Sequence, residues 1–163
     1  MERIQTIDYA SPLGVLEISG TEDGVCSILF TDRDEPILLE QEDNCHEPLL
    51  VCQQQLDEYF SGKRQSFSVP LWMKGTDFQK SVWHTLTTIP YAHKITYTEL
   101  AALIGKENAV RAVGNANGKN RLNIIVPCHR IIGSNGSLTG YSGGLWRKEW
   151  LLTHEQCSQN KEE

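Results

Sequence analysis

A cysteine lies beside a histidine and an arginine within the apolar segment Ile124-Ile125-Val126-Pro127-Cys128-His129-Arg130-Ile131-Ile132. The branched residues predict a buried strand, and the proline stiffens the main chain just before the thiol. A cysteine is a strong nucleophile as a thiolate, and a neighbouring imidazole can produce one. Adjacent side chains of an extended chain point to opposite faces, so His129 would act on Cys128 through a bridging water or a local twist. Cys128 is therefore the candidate nucleophile.

The alternative is that Cys128 is an inert core residue, as Cys26 and Cys52 are expected to be. The block Pro-Cys-His-Arg separates Cys128 from the other cysteines. The five cysteines are odd in number and scattered, with no Cys-x-x-Cys spacing. This pattern argues against a disulfide framework or a zinc knuckle and favours a reducing, cytoplasmic compartment.

The charge is divided unevenly along the chain. Residues 1–73 contain 4 Lys or Arg and 14 Asp or Glu, whereas residues 74–157 contain 10 and 5. The half with the cysteine motif is thus basic, although the whole chain has a net charge of −6. Local basic surface governs binding to a polyanion, so the total does not exclude DNA as a partner. The alternative is that the two halves differ by accident.

Residues 1–73 predict a small α/β domain. Alternating segments with turns at 11–14 and 20–24 indicate hairpins, residues 31–47 are an acidic surface loop, and a helix spans Pro48 to Phe60. No chemical motif occurs there.

From Thr76 the pattern becomes helical. Capping boxes begin at Thr76 and Thr96, and the second opens a helix that ends at Gly105. A four-residue turn leads into a third helix, followed by a turn at 117–120. Two short helices joined in this way form a helix-turn-helix, which usually binds DNA but also serves as a scaffold. The small outer residues of the third helix favour close approach to the minor groove, where sequence readout is degenerate.

The last helix is predicted from Leu145 to His154, with a disordered tail over 158–163. Lys148, Leu151, Leu152 and Glu155 share one face, which directs Glu155 at the core. A buried carboxylate needs a partner, and His129 is the candidate. Cys128, His129 and Glu155 then follow the pattern of nucleophile, base and orienting group. The alternative is a helix-end glutamate exposed to water.

The region from Gly75 to Glu155 resembles the O6-alkylguanine-DNA alkyltransferases, which transfer an alkyl group from DNA to a cysteine. The Pro-Cys-His-Arg block and the loop Thr139-Gly140-Tyr141-Ser142-Gly143-Gly144 carry the resemblance, although the loop could be only a connector. The resemblance implies an α+β fold: a ribonuclease-H-like N-terminal domain (1–73) and a mainly helical, winged-helix-like DNA-binding domain (74–157). Family members that bind zinc use Cys and His ligands, and no such set is found. No metal or cofactor is implied.

The resemblance also implies roles for individual residues. Besides Cys128, His129 and Glu155, Tyr97 would donate a proton to the leaving base and Asn120 would brace the active-site loop, although Arg121 replaces the proline that usually follows. Arg111 matches an arginine finger that holds the duplex while the target base is rotated out; the alternative is an ion pair with Glu107. The remaining residues expected to bind DNA or the base are Thr98, Lys106, Ala109, Ala112, Gly114, Pro127, Ile131, Ser134, Tyr141 and Ser142, and the carbonyls of Cys128 and Ile131 would accept from the exocyclic amine.

The implied function is direct-reversal repair of O6-alkylguanine, and also of O4-alkylthymine, in double-stranded DNA by a monomer that acts once. Two other classes remain open. A cysteine hydrolase could share Cys-His-Glu but would turn over. A non-catalytic sensor of alkyl lesions would keep the fold without the cysteine, so Cys128 argues against it.

Overall fold

The structure is a computed structural model that describes residues 3–37, 45–138 and 140–161. The chain divides into two compact units, Met1–Lys74 and Gly75–Glu163. The first unit has elements β1 (Gln5–Ser11), β2 (Gly14–Thr21), β3 (Gly24–Phe30) and α1 (Glu47–Phe60). The second has α2 (Asp77–Leu86), β4 (Ile95–Thr96), α3 (Tyr97–Ile104), α4 (Val110–Gly118), β5 (Ile131–Ile132) and α5 (Leu145–Lys161). The fold class is α+β, as predicted.

The first unit is an antiparallel sheet with one helix packed against it. The strand order is β1-β2-β3, so both predicted hairpins are present. Helix α1 buries Leu49, Cys52, Leu56 and Tyr59, which recur at helical intervals. Within the predicted acidic loop, residues 38–44 lie outside the described residues and Glu47 already belongs to α1.

Helices α2, α3 and α4 pack together in the second unit. Both predicted capping boxes form: Thr76 accepts from the amide of Gln79, and Thr96 from the amide of Glu99. Helix α3 ends at Ile104 and is capped by Gly105, whose φ of +79° lies in the left-handed region that glycine enters without steric cost. The indole of Trp83 in α2 donates to the carbonyl of Ala116 in α4 over 2.9 Å, which ties the two helices together.

The strand predicted over 124–126 is wrong. Residues 123–125 form a hydrogen-bonded turn, and Ile124 has a φ of +75°, which a β-branched residue rarely adopts. Residues 122–131 are all buried. An apolar run buried on every side has no periodicity that distinguishes a strand from a packed turn. The main chain becomes extended only at β5, which pairs in parallel with β4.

Two helix ends also differ from the prediction. Helix α4 continues through Asn117 and Gly118, which were predicted to be part of a turn. Helix α5 continues to Lys161, so the disordered tail is wrong for residues 158–161, and residues 162–163 lie outside the described residues. The sequence of α5 contains neither glycine nor proline, so no local signal stops the helix at His154.

In the part of the chain that the structure describes, none of the helices combines the length and the apolar character needed to cross a bilayer.

Candidate active site

Cys128 opens a single 3-10 turn that ends at Arg130, and it is only 5% exposed. Its Sγ accepts a hydrogen bond from Asn120 Nδ2 over 3.2 Å. The same Nδ2 donates to the carbonyl of Val126 over 2.8 Å, and Asn120 Oδ1 accepts from the amide of Leu122 over 2.9 Å. Asn120 therefore connects both ends of the buried turn to the thiol, which is the bracing arrangement expected of it.

Burial raises the pKa of the Cys128 thiol to about 11, although the hydrogen bond from Asn120 and the charge of Lys148 both act to lower it. Removal from water disfavours the charged form of any acid. The free protein therefore holds Cys128 as a neutral thiol at neutral pH. The hydrogen bond from Asn120 and the charge of Lys148 do not offset the loss of hydration.

His129, Arg130 and Glu155 form a buried polar cluster. His129 Nε2 lies 2.7 Å from Glu155 Oε2, and both side chains are fully buried. Arg130 donates to both oxygens of the same carboxylate, over 2.9 Å and 3.0 Å, and to the carbonyl of Ile89 over 2.7 Å. The predicted partnership of Glu155 with His129 is present, and Arg130 is a second partner that the sequence did not indicate.

The charges of this cluster follow from its contacts. Burial raises the pKa of Glu155, but the hydrogen bonds and charges of His129 and Arg130 lower it by more. The pKa of Glu155 therefore lies far below the usual range. Burial lowers the pKa of His129, and the carboxylate of Glu155 acts in the opposite direction. A carboxylate only accepts hydrogen bonds, so His129 Nε2 carries a proton, and in the neutral imidazole the lone pair is on Nδ1. Among the described residues, Nδ1 has no hydrogen-bond partner, so it is available as a base.

Lys148 is fully buried, and its positive charge acts to lower the pKa of Cys128. Burial lowers the pKa of Lys148, and the neighbouring thiol, when ionised, raises it. The sequence placed Lys148 on the same face of α5 as Glu155 but assigned it no role. A buried ammonium near Sγ favours negative charge on that sulfur at the moment when it forms.

The pairing of β4 with β5 brings Tyr97 and Cys128 to one site. Tyr97 follows β4 directly, and the turn that begins at Cys128 leads directly into β5. Between them lies a cavity of about 280 Å³, close to the lower limit of small-molecule sites. The cavity is lined by Tyr97, Gly114, Asn117, Gly118, Cys128, Gly140, Tyr141 and Ser142.

Five of the sequence-predicted site residues line this cavity: Tyr97, Gly114, Cys128, Tyr141 and Ser142. Ser142 Oγ also donates to Asn123 Oδ1 over 3.3 Å, which helps to hold the glycine-rich loop. Thr139, the first residue predicted for that loop, lies outside the described residues. The loop therefore forms one wall of the cavity instead of serving only as a connector.

The other predicted DNA-binding residues are placed apart from the cavity. Pro127 and Ile131 are buried and Ala109 is half-buried, whereas Thr98, Lys106, Arg111, Ala112 and Ser134 are exposed. In the part of the chain that the structure describes, Arg111 forms no ion pair, so the alternative pair with Glu107 is absent. The guanidinium of Arg111 is thus available to a partner.

Asn117 is the cavity residue that sequence reasoning missed as a functional group. It was interpreted as part of a turn, whereas it lies in the last turn of α4 and is 4% exposed. Asn117 lies four residues after Val113, which is buried on the same helix, and this spacing is the only signal that could have indicated its burial.

The residues that the structure describes contain no group of three or more His, Cys, Asp or Glu side chains arranged to hold a metal ion.

Comparisons with known proteins match both units. The profile of the 6-O-methylguanine DNA methyltransferase DNA-binding domain matches residues 77–157, and that of the ribonuclease-like domain matches residues 7–73. The methylated-DNA–protein-cysteine methyltransferase of Methanosarcina barkeri is 46% identical over 147 residues, which cover 90% of this chain and 93% of that protein.

Solved structures from Mycobacterium tuberculosis are also similar. The O6-methylguanine methyltransferase is 38% identical, with 96% of this chain and 94% of the other covered and a TM-score of 0.83. The OGT protein solved in complex with DNA is 42% identical, with 95% and 93% covered and a TM-score of 0.80. Both domain profiles and the near-complete coverage agree, and this chain therefore belongs to the 6-O-methylguanine DNA methyltransferase family, that is, the O6-alkylguanine-DNA alkyltransferases.

Proposed function

We propose that this protein repairs DNA by moving the alkyl group of O6-alkylguanine to Sγ of Cys128. The observation that carries the proposal is the cavity that Cys128 shares with Tyr97 and Ser142, next to the buried His129–Glu155 pair. A nucleophile, a general base and a proton donor for the leaving group are thus grouped around a space suited to one nucleobase.

The first step is removal of the thiol proton. The lone pair on His129 Nδ1 takes this proton through one intervening water, because no hydrogen bond joins Nδ1 to Sγ among the described residues. The carboxylate of Glu155 stabilises the resulting imidazolium, and Asn120 Nδ2 and Lys148 stabilise the thiolate. Since burial keeps Cys128 protonated in the free protein, proton transfer accompanies substrate binding and attack.

The second step is an in-line displacement at the alkyl carbon. The Sγ–carbon bond forms while the bond from carbon to O6 breaks, and its electron pair passes to guanine. Tyr97 donates a proton to the base, and the main chain and hydroxyl of Ser142 hold O6. The phenolate of Tyr97 then regains a proton from the imidazolium of His129. In total the thiol proton is transferred to guanine, and the products are a thioether and unmodified guanine.

DNA recognition follows from where the reaction occurs. The O6 atom of a stacked base cannot reach a thiol that is 5% exposed, so the nucleotide must leave the duplex. Helix α4 approaches the minor groove through its small residues, and Arg111 holds the duplex while the base is rotated out.

O4-alkylthymine presents a similar alkyl ether and would react in the same way. Residues 1–73 act as a structural domain, residues 74–157 carry the chemistry, and the protein works as a monomer in the reducing cytoplasm.

A cysteine hydrolase is the alternative with the same three side chains. It would require removal of the group from Cys128 by water. The thioether that the proposed reaction forms is stable to water, so each molecule acts once.

The experiment is mass spectrometry after mixing with a duplex that contains O6-methylguanine. We expect one methyl group on Cys128 and none on Cys26, Cys45, Cys52 or Cys157. A Cys128→Ser variant is the control and should remain unlabelled. Label on another cysteine, or repeated turnover beyond one equivalent, would contradict the proposal.

A further inference from the structure

Ala92 lies between α2 and β4 in a backbone conformation that alanine rarely adopts. Its φ is +65°, in the left-handed region where the Cβ atom of an L-residue is crowded. The amide of His93 donates to the carbonyl of Pro90 over 3.2 Å, so Ala92 occupies the third position of a four-residue turn, where glycine usually provides a positive φ. Strained conformations persist where surrounding contacts hold them, and they cluster at functional sites. The contacts of this 90–93 turn therefore indicate what the conformation of Ala92 provides.

The 90–93 turn and the residue before it contact the buried Glu155–Arg130 pair at three points. The main-chain N–H of Ala92 donates to Glu155 Oε1 over 3.3 Å. The carbonyl of Ile89 accepts from Arg130 Nη1 over 2.7 Å. The guanidinium carbon of Arg130 lies 5.7 Å from the centre of the Tyr91 ring, within the range of a cation–π contact. The turn is thus held on the charged cluster by a donor, an acceptor and an aromatic face.

The chain that leaves the turn leads directly to Tyr97. Strand β4 lies between Ala92 and Tyr97, and its pairing with β5 fixes the far end of this short segment. Displacement of the turn would therefore displace the start of α3, where Tyr97 lies. The same carboxylate of Glu155 holds His129 through its other oxygen, over 2.7 Å. One carboxylate thus contacts both the imidazole and the segment that carries the phenol.

We propose that Ala92 is a positioning residue for Tyr97: its N–H fixes the 90–93 turn on Glu155 and thereby aligns the phenol with the extrahelical nucleobase. The inference rests on the proposed function and adds the group that aligns its proton donor. The proton donor and the general base then share one rigid reference, the Glu155 carboxylate. Alignment matters because proton transfer requires hydrogen-bond distance, and a displacement of about 1 Å can slow a reaction about 100-fold.

The test compares two alkyl donors that differ in their need for a proton. O6-methylguanine in a duplex releases a nucleobase that must be protonated, whereas methyl iodide releases iodide, which needs no proton. Both methylate Cys128, so both reactions depend on the same thiol and on removal of its proton. The single-turnover methylation rate of Cys128 is measured with each alkyl donor by mass spectrometry.

Two changes at Ala92 disturb the proposed contact in different ways. Ala92→Val introduces a β-branched residue, which resists a positive φ. Replacement of Ala92 by lactic acid exchanges the main-chain N–H for an oxygen and keeps the methyl side chain. Each change should slow methylation by the duplex at least about tenfold and change the rate with methyl iodide less than about twofold. Equal slowing with both alkyl donors would overturn the inference.

Tyr97→Phe tests whether Ala92 acts through Tyr97. In a Tyr97→Phe protein, Ala92→Val should slow methylation by the duplex no further, because two changes that act through one group are not additive. Full additivity of the two substitutions would overturn the inference.

Two variants serve as controls. Ala92→Gly keeps the N–H and favours a positive φ, so both rates should match those of the parent. Ala10→Val makes the same chemical change at an exposed residue of β1 and should also leave both rates unchanged. A loss with Ala92→Gly as large as that with Ala92→Val would contradict the inference. Failure of the parent to methylate Cys128 from the duplex would instead overturn the proposed function.

Discussion

His129 Nε2 donates a hydrogen bond to Glu155 Oε2 over 2.7 Å, and both side chains are fully buried although 26 residues separate them in sequence. This bond fixes the tautomer of the imidazole and leaves the lone pair on Nδ1. Arg130 balances the carboxylate, so His129 does not need to be charged in the free protein. In the proposed mechanism, this imidazole accepts a proton from the thiol of Cys128 and is not already paired with a thiolate.

The first prediction concerns the ionisation of Cys128. Because burial raises the pKa of this thiol to about 11, the free protein should show no Cys128 thiolate at neutral pH. The measurement is a titration of thiolate ultraviolet absorbance for the parent minus that for Cys128→Ser. Subtraction removes the absorbance of the other cysteines. One of these is Cys52, whose pKa is raised by burial to about 12. A midpoint below about 8.5, the value of a free thiol, would show that the site activates Cys128 before substrate binds.

The second prediction concerns His129 as a general base. Replacing it with alanine should reduce the single-turnover methylation rate at neutral pH by at least about 100-fold, the usual contribution of general base catalysis. The remaining rate should rise with pH, because hydroxide must then remove the thiol proton. Since burial lowers the pKa of His129, the parent rate should stay flat down through the ordinary histidine range. A His129→Ala protein with a near-parent rate and an unshifted profile would mean that another group activates Cys128.

The third prediction concerns the stability provided by Glu155. Glu155→Gln leaves Arg130 buried without its carboxylate and should lower the free energy of unfolding at pH 7 by about 3–5 kcal/mol. The folded pKa of Glu155 lies below its unfolded value. The contribution of Glu155 to the free energy of unfolding is therefore fully present above pH 4.5, the pKa of the unfolded state, and is lost as the pH falls below that value. Urea unfolding at a series of pH values from about 3 to about 7 measures this loss.

Glu149→Gln on the same helix is the control for that experiment, because Glu149 is exposed. Its effect should lie within about 0.5 kcal/mol of the parent at each pH. Equal effects of the two substitutions would show that the buried cluster does not stabilise the fold.

The fourth prediction concerns Arg111. Arg111→Ala should slow repair of a duplex lesion at least about tenfold, because stabilising an extrahelical base is worth a few kcal/mol, and it should barely change the reaction with free O6-alkylguanine. Arg111→Lys is the matched variant, since it keeps the charge and changes the shape of the donor. It should recover phosphate binding but only part of the duplex repair rate. Equal loss on duplex and free base would identify Arg111 as structural.

Local patterns were sufficient to predict several elements. The hairpins of the first unit, both capping boxes and the left-handed end of α3 at Gly105 depend on residues close in sequence, whose effects act over one or two turns. Burial of Glu155 followed from helical spacing along α5. The extension of α5 to Lys161 was missed because the absence of a stop signal is weaker information than its presence.

The sequence by itself determined the candidate nucleophile, the histidine beside it and the pairing of that histidine with Glu155, since residue type and helical phase restrict what a buried thiol, imidazole and carboxylate can do. Only the tertiary structure decided that residues 123–125 form a turn, that Arg130 shares Glu155, and that Asn117 and Lys148 lie near the thiol. Each of these depends on contacts between distant segments, and so does the pKa of Cys128. A pKa depends on how much water the whole fold removes from the sulfur, and no local pattern of residues contains that quantity.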